Sequence, residues 1–272
     1  MNFELQTPPF PLNQFVESVL YYDGYQPAHQ IERLLPDGSV NLIIELTGIK
    51  QHLYDNQSLT PIKTHRKAWV SGMHSGYISI DSGYNASMVI IRFLPQGAYP
   101  FLHFPVAELN DLVIEADLVF AQSIAQLREQ IVNAPAIKDK FACIYQWLNH
   151  RFRAEYLPHP SVHQVLAKIH QMPTWEHLQD LQQAIGYSQK HLIHLFKKYV
   201  GFRPKQYQQV TRFNLALRQM EQGRFAQLTS LGYDCGYYDQ AHFIKEFKKF
   251  AGFSPKRFLQ EKGEYIHYVP LQ

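Results

Sequence analysis

Two cysteines, Cys143 and Cys235, are all that 272 residues contain, so a disulfide framework is not what holds this chain together. No apolar run approaches the ~20 residues needed to cross a bilayer. Residues 1–10 lack the basic-then-apolar pattern of a signal peptide. No phosphate-cradling glycine loop, dinucleotide fingerprint or nucleophile elbow occurs. The 14 histidines include no H-x-H pair, and His29, His52, His65, His74 and His103 are scattered. His159 and His163 lie four apart, but no Cys or carboxylate completes a tetrahedral set, so neither metal nor cofactor is expected. These absences weigh against a secreted disulfide scaffold, a membrane protein, a nucleotide-driven enzyme and a metalloprotein. A soluble, cytoplasmic chain is the expectation, long enough for two domains.

What is present is uneven. The net charge of +3 hides a divided chain. Residues 1–157 hold 11 Lys and Arg against 15 Asp and Glu, and residues 158–272 hold 15 against 8. An acidic first half beside a basic second half suggests that only the second meets phosphates. The proline-marked segment Tyr156-Leu157-Pro158-His159-Pro160 separates them, because proline breaks helices and stiffens linkers.

Within the basic half a pattern occurs twice. The run from Tyr237 to Phe250 reads as a short helix capped by Asp239, with Phe243, Phe247 and Phe250 on one buried stripe. Gln240, Ala241, Lys245 and Lys248 lie largely on the opposite face. Fifty-one residues earlier, Ser188 stands for Asp239, Leu192 for Phe243, Phe196-Lys197-Lys198 for Phe247-Lys248-Lys249, and Gly201 for Gly252. Such self-similarity marks a repeated supersecondary unit. Between the copies, residues 204–222 read as one long helix of about 18 residues, or ~27 Å. That length suits a rigid spacer between the two copies.

Residues 174–260 resemble the tandem helix-turn-helix domain of the AraC/XylS family of bacterial transcription regulators. The resemblance is carried by Cys235-Gly236-Tyr237-Tyr238-Asp239-Gln240-Ala241-His242-Phe243, followed by Phe247-Lys248, Gly252, Ser254-Pro255 and Phe258. It implies duplex DNA as partner, read by one helix of each unit. In the first unit Gln189, Lys190, Ile193, His194 and Lys197 are the candidate contacts. In the second they are Gln240, Ala241, His242, Lys245 and Lys248. Lys and Gln suit guanine and adenine edges, Ile193 a thymine methyl, and the lysines also phosphate. Arg212 and Ala216 resemble positions the family uses in its spacer. Gln182, where the family carries a small residue, would crowd the first unit's helix crossing, whereas Gly232 in the second fits the pattern.

The acidic half reads as β. Strands are expected around residues 40–46, 69–72, 77–81 and 88–94, rich in strand formers and bounded by turn residues. Residues 12–22 fit a short helix or a strand equally. Helices are expected over residues 120–133 and 137–152, and residues 265–272 read as a loose tail. The segment from Leu35 to Ile43 resembles the N-terminal module of one AraC-family subgroup. Arg92, inside an apolar strand, is expected to pair with Asp37 or Glu45, the alternative being a ligand carboxylate. Trp69, Tyr77 and Tyr84 fit a core better than a pocket.

The expected fold class is therefore α+β. An N-terminal sensor-like domain over residues 1–157, a small antiparallel sheet or cupin-like barrel with helices, precedes a C-terminal all-α domain over residues 158–272. The expected function is a sequence-specific, non-enzymatic transcription regulator, with a small-molecule effector, a homodimer and RNA polymerase as further candidate partners. A cupin-type enzyme or a pure oligomerisation domain fused to the DNA-binding unit are the rivals.

Overall fold

The structure is a computed structural model that describes residues 2–171 and 186–271. Gln182 and the expected first helix of the first unit lie outside the described residues.

Two antiparallel sheets form the N-terminal half. Strands β1 (Asn2–Gln6), β2 (Val16–Asp23), β4 (Asn41–Glu45), β7 (Ala68–Ser71), β9 (Ser87–Phe93) and β10 (Val113–Glu115) make the first, in the order β1-β2-β9-β4-β7-β10. The second runs β11-β3-β8-β5-β6, from β3 (Ile31–Leu34), β5 (Gln51–Tyr54), β6 (Pro61–His65), β8 (Ile78–Asp81) and β11 (Tyr268–Leu271).

The period-2 alternation of the central strands gives the first sheet two buried faces. After the one-turn helices α1 (Tyr99–Leu102) and α2 (Asp117–Phe120), α3 (Gln122–Asn133) and α4 (Ile137–Arg151) cover one face, where Leu42, Ile44, Val89 and Ile91 join a core with Ile124, Leu127 and Ile131 of α3 and Phe141, Ile144 and Leu148 of α4. On the other, Ile43, Trp69 and Met88 meet Leu53 and Ile78 of the second sheet. The result is a sheet-on-sheet domain with helices on its outer side, as expected in class. Residues 12–22 contain both alternatives, a 3-10 turn at Leu12–Gln14 followed by β2. Arg92 pairs with Glu17 at 2.9 Å and Asp37 at 3.3 Å. Glu45 is occupied by the backbone N–H groups of Thr47 at 2.8 Å and Gly48 at 2.5 Å. Trp69 is buried, whereas Tyr84 is exposed and packs in no core.

The C-terminal half is helical. It contains α5 (Pro160–Gln171), α6 (Gln189–Tyr199), α7 (Pro204–Glu221), α8 (Leu228–Asp234), α9 (Gln240–Ala251) and α10 (Pro255–Glu261). The tail differs from expectation. Tyr268–Leu271 is not loose but pairs antiparallel with β3, Tyr268 opposite Leu34 and Leu271 opposite Ile31. The chain end thus closes back onto the N-terminal sheet. Pro270 is tolerated because β11 is an edge strand, where a missing N–H costs no ladder bond.

Candidate nucleic-acid interface

Both reading helices start on the caps expected of them. The Ser188 hydroxyl accepts from His191 N at 3.3 Å, and the Asp239 carboxylate from His242 N at 2.7 Å. Each cap satisfies one of the free N–H groups at a helix start, worth about 1 kcal/mol. The apolar stripes are inside: Leu192, Phe196, Phe243, Phe247 and Phe250 are buried. Phe213 of the long helix α7 touches Phe247 and Phe250, each at 5.1 Å between ring centroids. Gly232 of α8 lies under Phe243, where a Cβ would come within 3.3 Å of that ring. The crossing in the second unit is therefore tight and requires a small residue.

With the stripes buried, the other faces are exposed. In α6, Gln189, Lys190, His194 and Lys197 are exposed and Ile193 is half-buried. In α9, Gln240, Ala241, Lys245 and Lys248 are exposed and His242 is half-buried. The five candidates of α6 share one helix face; in α9 Gln240, Ala241, Lys245 and Lys248 do so, while His242 lies at its edge toward Glu246, and both helices pack on the spacer α7. His242 has a second task, since its Nε2 lies 3.6 Å from Glu246 and its ring 5.4 Å from Tyr237. His191 is exposed and stacks on Tyr187 at 4.9 Å. Lys198, next to Lys197, is turned another way. Its ammonium lies over the rings of Tyr99 at 5.2 Å and Tyr199 at 5.1 Å, turned toward the N-terminal domain.

Sequence reasoning missed three features. Glu246 sits on α9 yet is 5% exposed. Arg212 of α7 clamps it, Nη2 donating to Oε1 at 2.7 Å and Oε2 at 2.9 Å, and Gln209 Nε2 donates to Oε2 at 2.9 Å. Arg212 also donates to Gly236 O at 3.2 Å and lies 4.3 Å over the Tyr237 ring. This bidentate ion pair fixes the second reading helix to the spacer. Tyr238, 82% exposed, and Ile244, 38% exposed, stand beside Gln240 and Lys248. Exposed apolar groups beside a polar helix face are a readable signal, since apolar side chains can meet a thymine methyl. Burial of Cys235 pushes its thiol up to about 12, so it is inert as a nucleophile. Among the described residues no group of three His, Cys, Asp or Glu could hold a metal ion, and no helix is long and apolar enough to cross a membrane.

Comparison with known proteins follows the same division. A family model described as a helix-turn-helix domain matches residues 181–261. The capped helices α6 and α9 and the motif from Cys235 to Phe258 fall inside it. This helix-turn-helix part is of the AraC/XylS type. A second model, described as a domain of unknown function (DUF6597), matches residues 5–115, including the Leu35–Ile43 segment. Over 178 residues the chain is 28% identical to the uncharacterized HTH-type transcriptional regulator YidL of Escherichia coli K12. That match covers 60% of this chain and 57% of the length of YidL. Among solved structures, ToxT from Vibrio cholerae aligns over 96% of this chain and 98% of its own, at 13% identity and a TM-score of 0.47. A probable AraC family regulator from Rhodopseudomonas palustris aligns with 38% of this chain and 96% of its own, at 21% identity and a TM-score of 0.34.

Proposed function

We propose that this AraC-type chain controls transcription by reading duplex DNA with two helices at once. Gln189, Lys190, Ile193, His194 and Lys197 would face one major groove, and Gln240, Ala241, His242 and Lys245 the next, with Lys248 on phosphate. The observation that carries this reading is the pair of like-built, like-capped helices on one 18-residue spacer, with donor-rich faces open to solvent. Phosphate contacts supply affinity that falls with salt, and base-edge contacts supply choice of sequence. No catalytic role is assigned to any residue.

The N-terminal domain, residues 1–157, is read as the control unit. Support comes from the side chains on the facing inner surfaces of its two sheets. Leu20, Tyr22 and Ile90 on one side, and Leu34, Ile80 and Tyr268 on the other, face inward yet remain partly accessible. A small-molecule effector held there would act on the helices below. A cytoplasmic location, a homodimer and contact with RNA polymerase belong to the same reading.

The test is selection of bound fragments from random duplex DNA by the full chain. Two short recurring blocks about one turn apart are expected. Indifference to sequence, or no retention of duplex at low salt, would overturn the proposal.

A further inference from the structure

The two reading units share no substantial helix packing with one another among the described residues; the spacer α7 joins them. Each unit packs on that one helix, through Tyr207 on Phe196 and Phe213 on Phe250, so their mutual orientation within the helical half rests on α7 alone. The N-terminal domain touches this assembly at three separated points, and two of them are the same position of the repeat.

The first point is the end of α6. Asn110 Nδ2 donates to Gly201 O at 2.9 Å. The second is the end of α9, fifty-one residues on. There Arg33 Nη1 donates to Ala251 O at 3.4 Å, with its guanidinium sandwiched between Tyr77 at 4.4 Å and Phe253 at 3.9 Å. Both closing glycines are left-handed, Gly201 at φ 104° and Gly252 at φ 71°. A Cβ on Gly201 would lie 2.7 Å from Asn110 Oδ1, and one on Gly252 2.5 Å from the Tyr77 ring. The third point is the middle of the spacer. Asn214 Nδ2 donates to Pro36 O at 3.0 Å, and His267 Nε2 donates to Asn214 Oδ1 at 2.6 Å. Gly38 lies against Tyr207 and Val210 of the same helix. β11 then fastens this corner to β3.

These three contacts hold the helical half to the N-terminal domain, and none of them uses a candidate DNA-contact residue of α6 or α9. We infer that Asn110 and Arg33 are positioning residues for DNA reading, gripping the end of each reading helix so that the N-terminal domain sets the spacing between the two half-sites. This rests on the two-helix reading above. It goes further in assigning the spacing rule to residues that touch no DNA.

The experiment uses the full chain and a duplex carrying the selected site, together with the same duplex lengthened or shortened by one or two base pairs between the blocks. Two base pairs move a half-site by ~7 Å along the axis at 3.4 Å each. Wild type is expected to lose roughly a hundredfold in affinity at two base pairs, because the base contacts of one half-site are given up. Asn110→Ala with Arg33→Ala should lose less than about fivefold on the altered duplexes, with weaker binding to the selected one. Arg33→Lys, which keeps the charge but not the flat stacked group, should fall between them. A thermal melt unchanged within a few degrees shows that the variants are folded. If folded variants keep the wild-type spacing preference, the inference is overturned. Tighter binding to every duplex also overturns it, since the contacts would then be inhibitory. If wild type binds no duplex selectively, the failure belongs to the two-helix reading and not to the brace.

Discussion

Replacing Glu246 with alanine isolates what holds the second reading helix in place. The carboxylate is almost fully buried and receives three bonds of 3.2 Å or less from Arg212, plus one from Gln209. Removing it leaves a guanidinium with 13% side-chain exposure facing no counter-ion. Breaking a buried pair from one side costs roughly 3–5 kcal/mol, most of it the stranded charge. Spread over a chain of this size, at roughly 2–4 °C per kcal/mol, the melting temperature should fall by about 6–20 °C. The double replacement Arg212→Met with Glu246→Leu removes both charges and fills the space, so it should return to within about 1.5 kcal/mol of wild type. Lys245→Ala, one residue away but exposed, should stay within about 0.5 kcal/mol. Calorimetry on the four proteins gives the result directly. Should Glu246→Ala cost under about 1 kcal/mol, or the double variant be as unstable as the single one, the pair is not what anchors α9 to the spacer.

Other predictions concern recognition and pH. Lys190→Ala and Gln240→Ala should each relax one of the two sequence blocks, by about 1–3 kcal/mol of discrimination, in a binding screen against single-base variants. Lys248→Ala should weaken all duplexes alike and lower the slope of log K against log salt by about 1. His267 is held down to about 4 by burial, with Arg92 and Arg218 adding to the effect and Asp37 opposing it. Its folded value lies below the unfolded one, so the neutral, docked tail is favoured above about pH 6.5 and loses ground down to about 4. The loss is at most about 3 kcal/mol at 1.36 kcal/mol per unit, and less because the ring keeps some access to water. His267→Gln should flatten that part of the stability-versus-pH curve.

The helical half was readable because its signals are local. Asp239, Ser188 and Ser254 are caps a few residues from the groups they bond, and Phe243, Phe247 and Phe250 repeat at helical spacing. The β half was readable only at its centre. β4, β7, β8 and β9 are rich in apolar residues, whereas β6 is polar and exposed over Pro61–Thr64 and β11 contains a proline. Edge strands take their identity from a partner elsewhere in the chain, and β11 pairs with residues more than 230 positions away. The same reason hid Glu246, whose burial depends on Arg212, and Lys198, whose position depends on Tyr99. Charge on a helix reads as solvent-facing until the distant partner is known.

The central claim is that two helices of one chain lie in adjacent major grooves of one duplex. Methylation interference on the selected site, with full-length wild type, Lys190→Ala and Gln240→Ala, tests it most directly. The account predicts two clusters of sensitive guanines on one face, about 10 base pairs apart, one fading with each substitution. A single cluster, or two that fade together with either substitution, would contradict it.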